Sequence, residues 1–367
     1  MTLACLGLGL SGLATPAVAA PIGQGEIYSH LKMPHTPTDI ALSPDGSRMY
    51  IADPGSTGTA PKMYVSNEVT NVLQKSSATL SGNPIAIAPS PDGKYVYAVL
   101  DNGKGAKVAV IDTRSTKVVR TVDLKNPDGP GGNLTGVDAA LLSLDGSKLY
   151  LTLKNESGEQ HVFVYETGKK GKAVSPAAIV PANTESPLTH LVASPDGKQV
   201  YAVADAGHWT DVIRINTATN TVTDSFQPLN TIDPSGDLTD VADAAVSPDG
   251  KRLYLSSEQA VFAYDTTRNG APVAAIETPA GIPGHLAVSP DSTHVYVAGV
   301  DNSGPAPALS LSVIDAASAT VTGMTPLGYA QHDADHESEL GKVIASPDGT
   351  RVYIVNNDAD TILTVRP

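Results

Sequence analysis

The stretch Ser90-Pro91-Asp92-Gly93-Lys94-Tyr95-Val96-Tyr97-Ala98-Val99 decides the fold. Pro pre-sets φ at the first central position of a turn, Asp can bond its own backbone further on, and Gly permits φ > 0. An alternating run of Tyr and β-branched residues then reads as a strand. The same turn elsewhere is preceded by a short apolar run, as in Ile40-Ala41-Leu42 and Leu286-Ala287-Val288. The unit is therefore a hairpin whose first strand is buried on both faces.

The four-residue turn occurs seven times. It reads Ser43-Pro44-Asp45-Gly46, Ser90-Pro91-Asp92-Gly93, Ser143-Leu144-Asp145-Gly146 and Ser194-Pro195-Asp196-Gly197. It continues as Ser247-Pro248-Asp249-Gly250, Ser289-Pro290-Asp291-Ser292 and Ser346-Pro347-Asp348-Gly349. The steps between the serines are 47, 53, 51, 53, 42 and 57 residues, which suits propeller blades of four strands each. Leu144 replaces Pro in the third unit and Ser292 replaces Gly in the sixth, which predicts looser turns there. A third strand follows in each unit, clearest in Val108-Ala109-Val110-Ile111-Asp112 and Leu311-Ser312-Val313-Ile314-Asp315. A fourth follows a polar turn, as in Val118-Val119-Arg120-Thr121-Val122. The last unit runs out of chain after three strands, and Glu26-Ile27-Tyr28-Ser29-His30-Leu31 stands unassigned before the first. Pairing the two chain ends in one blade closes the ring and removes its open edges. The sequence thus predicts an all-β protein, a seven-bladed β-propeller of four-stranded antiparallel blades over residues 21–367.

The pattern Ser-Pro-Asp-Gly-Lys-x-Val-Tyr-Val/Ala, with Val-Ile-Asp in the next strand, resembles the YVTN-repeat β-propeller family. That group is related to the lactonase-type seven-bladed propellers. The resemblance covers residues 25–367 and implies the fold. Propellers of this type include hydrolases, lyases, metal-dependent reductase domains and plain binding proteins, so the resemblance leaves the activity open.

Composition narrows the partners. The chain of 367 residues carries a formal net charge of −14. Nucleic-acid binding draws on clustered Lys and Arg, so a phosphate-binding surface is not expected, nor is attraction to an anionic membrane. Residues 1–20 are uncharged and end in Ala17-Val18-Ala19-Ala20, which suits cleavage of a signal peptide. The expected protein is therefore secreted, extracellular or periplasmic, with no membrane insertion after signal removal. No other stretch is apolar enough to span a bilayer. The single cysteine, Cys5, lies in that leader, so no disulfide or thiolate chemistry is expected of the remainder.

Strand order sorts the loops. The Ser-Pro-Asp-Gly turns share one face; the opposite face collects the links between second and third strands and between blades. The long insertions fall on that opposite face, among them 126–135, 229–240 and 328–341, and long loops gathered on one rim commonly carry function. Four residues before each turn serine stand Asp39, Ala86, Ala139, His190, Asp243, His285 and Lys342. The positions that follow are almost all apolar, so polarity resumes at one level, the mouth of the central channel, over blades four, five, six, seven and one. Asp138 sits one position off in blade three.

Three readings of this arc stand side by side. Its members can simply bond strand ends and hold water. They can perform acid–base chemistry, with His190 or His285 as base, Asp243 as orienting partner and Lys342 stabilising an oxyanion. Or His190, Asp243 and His285 can hold a divalent metal as cofactor, two imidazoles and a carboxylate being a plausible open set. Asp39 and Asp138, with His208 and Trp209 of the blade-four link and His332 and His336 of the loop entering blade seven, are candidate substrate-binding residues. There is no Gly-x-Ser-x-Gly elbow and no phosphate-cradling loop. The leading expectation is a small-molecule ligand, bound and hydrolysed or subjected to elimination. A scaffold binding a protein or polysaccharide through its rim loops, and a metal-dependent enzyme, are the alternatives.

Overall fold

The computed structural model describes residues 25–367 apart from 69–70, 126–133, 155–157, 168–174, 182–185, 206–209, 229–239, 269–271, 280, 305 and 330–339. Twenty-eight strands, β1 to β28 in chain order, form seven four-stranded antiparallel sheets among these residues. The innermost strands are β2 (Asp39–Leu42), β6 (Asn83–Pro89), β10 (Ala140–Leu142), β14 (Leu188–Ala193), β18 (Val241–Val246), β22 (Ile282–Val288) and β26 (Leu340–Ala345). Six blades run outward through consecutive strands. The seventh has the order β1-β28-β27-β26, with β1 (Glu26–Lys32) pairing antiparallel to β28 (Thr361–Arg366) outside β27 (Val352–Asn356). The ring therefore closes by joining its two ends.

The second strand of each blade is buried almost throughout, because both its faces meet neighbours. Seven apolar clusters fill the ring, each drawn mainly from two adjoining blades. One packs Ile40 and Ile51 of blade one against Tyr353, Val355 and Ile362 of blade seven. The recurring Tyr of the second strand (Tyr50, Tyr97, Tyr150, Tyr201, Tyr254, Tyr296, Tyr353) is buried in all seven. Burial of such area in every joint supplies the main favourable term for closing the ring.

The turns are more uniform than the sequence suggested. In all seven, the serine hydroxyl donates to the aspartate two residues on, at 2.5–2.8 Å. The fourth residue's N–H reaches the serine carbonyl at 2.8–2.9 Å, in the third and sixth turns as in the others. The expectation of looser turns at Leu144 and Ser292 is thus corrected. Leu144 occupies a position where Pro only pre-sets an angle that other residues adopt. Ser292 takes φ 63, and its Oγ accepts Asp249 N–H of the preceding blade at 2.9 Å. The glycines at this position sit against that neighbour instead: a Cβ on Gly146 would lie 2.7 Å from Pro91 Cδ, and one on Gly46 3.1 Å from Pro347 Cδ.

Candidate active site

A cavity of about 1330 Å³ occupies the mouth of the channel on the face opposite the Ser-Pro-Asp-Gly turns. All seven blades line it, and Asp39, Ala86, Ala139, His190, Asp243, His285 and Lys342 are each part of the wall, as is Asp138. In five blades the local cause is a break in the strand ladders. Pairing of the inner strand to its neighbour shifts register between Pro84 and Ala86, Leu188 and His190, Val241 and Asp243, Pro283 and Leu286, and Leu340 and Val343. Such irregularities re-aim a side chain that strict alternation would place elsewhere.

Several of these side chains brace one blade to the next. Asp39 accepts N–H of Ile87 in blade two at 2.7 Å and of its own neighbour Ile40 at 2.9 Å. Asp243 repeats the arrangement, accepting Leu286 N–H of blade six at 3.1 Å and Ala244 N–H at 2.8 Å. His190 Nε2 donates to the Ala242 carbonyl of blade five at 3.1 Å, which leaves Nδ1 to accept from Thr189 Oγ at 2.9 Å. Burial pushes the His190 pKa down, with the charge of His285 adding to it against the pull of Asp243; the ring is neutral, with both nitrogens engaged. It is therefore poorly placed to act as a base.

His285 is different. Its Nδ1 lies 3.2 Å from Asp243 Oδ2, and the side chain keeps a third of its exposure, leaving Nε2 to the cavity. Burial works to raise the Asp243 pKa, but the hydrogen bond from His285 and the Leu286 N–H outweigh it and hold the carboxyl below its ordinary value. Asp243 therefore stays ionised. On the adjoining blade, Lys342 Nζ donates to Asp39 Oδ1 at 2.5 Å while 42% of its side chain stays exposed. Burial acts to lower its pKa, yet the Asp39 carboxylate, with help from Asp243, raises it. An oriented imidazole and a fixed ammonium thus face one cavity.

The metal set is not assembled. Among the described residues no group of three His, Cys, Asp or Glu side chains stands ready to hold an ion, and His190 has no nitrogen to spare. Asp138 accepts from Gln160 Nε2 of its own blade at 2.6 Å, and Gln160 Oε1 accepts Leu188 N–H of blade four at 2.7 Å, so Gln160 joins the two blades. His208, Trp209, His332 and His336 lie outside the described residues, as do residues 1–20.

Sequence reading missed a second imidazole–carboxylate pair. His35 Nδ1 lies 2.9 and 3.2 Å from the two oxygens of buried Asp53, and their chain neighbours Thr36 and Pro54 line the cavity. The available signal was a recurring Asp closing the second strand: Asp53, Asp101, Asp205 and Asp301. Asp101 and Asp205 accept N–H groups of the following blade, from Gly136 at 3.1 Å and Val241 at 2.5 Å.

Residues 23–304 match the family model described as lactonase, 7-bladed beta-propeller. The chain is 27% identical over 287 residues to the seven-bladed beta-propeller protein Rv1057 of Mycobacterium tuberculosis, covering 71% of this chain and 68% of that protein. Kuenenia stuttgartiensis hydrazine synthase superposes with a TM-score of 0.67 at 17% identity, covering 93% of this chain and 98% of that one. At that identity the likeness concerns the fold alone. Among the described residues no helix is long and apolar enough to cross a membrane.

Proposed function

The chain belongs to the lactonase family of seven-bladed β-propellers, and from that premise we propose that it binds a small carbonyl compound in the channel mouth and hydrolyses it. The observation that carries the proposal is the Asp243-oriented His285 beside the Asp39-held Lys342 on one cavity wall. In this reading Asp243 accepts from Nδ1–H and so leaves the Nε2 lone pair to the cavity. His285 Nε2 takes a proton from water as the water oxygen bonds to the carbonyl carbon. The carbonyl electron pair moves onto oxygen, where the Lys342 ammonium stabilises the charge. When the bond from carbon to the leaving oxygen breaks, the imidazolium returns its proton to that oxygen. The same base serves an elimination by removing a proton next to the carbonyl.

A panel of lactones and aryl esters tests this. His285→Ala is expected to lower kcat by about 10²-fold or more, and Lys342→Met to lower it as well, with both variants folded by circular dichroism. Unchanged turnover in both would sink the reading and favour recognition through the rim loops. Export is a separate proposal resting on residues 1–20; a mature protein that begins at residue 20 or 21 is the expected result of N-terminal sequencing.

A further inference from the structure

The cavity wall is lopsided in two independent respects. At the position where blades one and four to seven present Asp39, His190, Asp243, His285 and Lys342, blades two and three present Ala86 and Ala139. Ile85 and Ala140 extend this apolar side, with Asp138 at its blade-three edge. The reacting groups, His285 and Lys342, belong to blades six and seven. The second respect is charge: among the described residues the wall carries five carboxylates, Asp39, Asp138, Asp243, Asp358 and Asp360, against the single ammonium of Lys342. Asp39 already pairs with that ammonium and Asp360 with Lys32, so beyond the developing oxyanion Lys342 has little positive charge left for an anionic substituent.

We propose that the ligand of this cavity is an uncharged or cationic carbonyl compound with an apolar substituent, the substituent lying on blades two and three and the carbonyl turned toward blades six and seven. The class rests on the small-carbonyl reading above but draws on different atoms. An apolar substituent gains by leaving water for the Ile85, Ala86, Ala139 and Ala140 surface. An anionic substituent would meet carboxylates in a concave site that focuses their field. Discrimination by an unfavourable charge is a usual route to specificity. The formal charge of −14 for the whole chain acts in the same direction on approach.

Binding is measured by calorimetry on the wild-type protein with three amides that are not readily hydrolysed: N-hexylacetamide, its ω-trimethylammonio analogue, and anionic N-hexylsuccinamate. The first two are expected to bind at least tenfold more tightly than the third, with the gap narrowing as salt is raised. Ala86→Asp, and separately Ala139→Asp in case either change disturbs the blade, should weaken N-hexylacetamide at least fivefold. Equal or tighter binding of the succinamate, indifference to the Asp substitution in folded protein, or no binding by any of the three would overturn the proposal. The ranking with no turnover of any ester or lactone would leave the ligand class standing and remove hydrolysis. Turnover without the ranking would do the reverse.

Discussion

Asp243 uses one carboxylate oxygen for two purposes, receiving both Leu286 N–H and the ring of His285. A substitution there therefore disturbs a seam and a base together, and the two effects are separable by amide chemistry. An Asn oxygen still accepts Leu286 N–H, at the cost of setting its amide nitrogen against Ala244 N–H, and it no longer supplies the negative charge that favours the working imidazole. Asp243→Asn is expected to melt between wild type and Asp243→Ala and to lose most turnover, whereas Asp243→Ala should lose both to the fullest extent. Gly146 permits a similar separation. Ala at Gly146 or at Gly103 faces φ near +70, but only at Gly146 does the added carbon meet a neighbour, Pro91 Cδ, at 2.7 Å; nothing lies within 4 Å at Gly103. Both changes should cost about 1 kcal/mol for the backbone. Denaturant titration should show a larger loss at Gly146, and equal losses would refute a role for the proline contact.

At the scale of the element, the seven turns share one titration. Asp45, Asp249 and Asp291 are held near a pKa of about 2 chiefly by the serine hydroxyl, and Asp92 to about 2 chiefly by Lys94. Asp145, Asp196 and Asp348 are lowered for the same first reason, the serine hydroxyl. A depressed carboxyl contributes stability that is complete above its unfolded pKa, near 4, and is lost as pH falls through the folded value. Thermal melts should thus decline modestly as pH falls from 7 to about 5, where buried neutral His190 resists protonation, and drop steeply between about pH 4 and 2. A flat profile through that window would show that the turns bear little of the stability. These turns were readable in the sequence because their chemistry is local: Ser, Pro, Asp and Gly act on their own backbone. The inner-strand positions were also readable, by alignment on the turn serine. Their partners were not. His190 to Ala242, Asp39 to Ile87 and His35 to Asp53 are joined by register shifts and blade packing that no spacing records.

Across the whole molecule, closure rests on β1. Its pairing to β28 runs from Glu26 opposite Arg366 to Lys32 opposite Thr361, with one irregularity between Ile27 and Ser29 that includes Tyr28. The ring of Tyr28 lies 4.1 Å from the Arg366 guanidinium and 5.5 Å from that of Arg351, a favourable arrangement for cation and aromatic face. Removing residues 1–32 would bare β28 as an edge that invites other chains. Such a protein is expected to melt earlier and to form oligomers by size-exclusion chromatography. A monomer with unchanged melting would show that the ring closes without this strand.

Several polar joints of the ring point the same way round. Asp39 and Asp243 each reach forward to the next inner strand, His190 reaches forward to Ala242, and Arg48 and Arg351 reach forward to Thr113 and Glu68. Each turn, in the other sense, seats its fourth residue on the blade behind. Blades one, four, five and seven thus carry a forward hook at one end and a turn seated on the blade behind at the other, like a carriage with a hook and an eye. A duplicated or exchanged blade arrives with compatible ends and needs no new seam. Individual blades, and the wall residues they bring to the cavity, are then free to be swapped without redesigning the train.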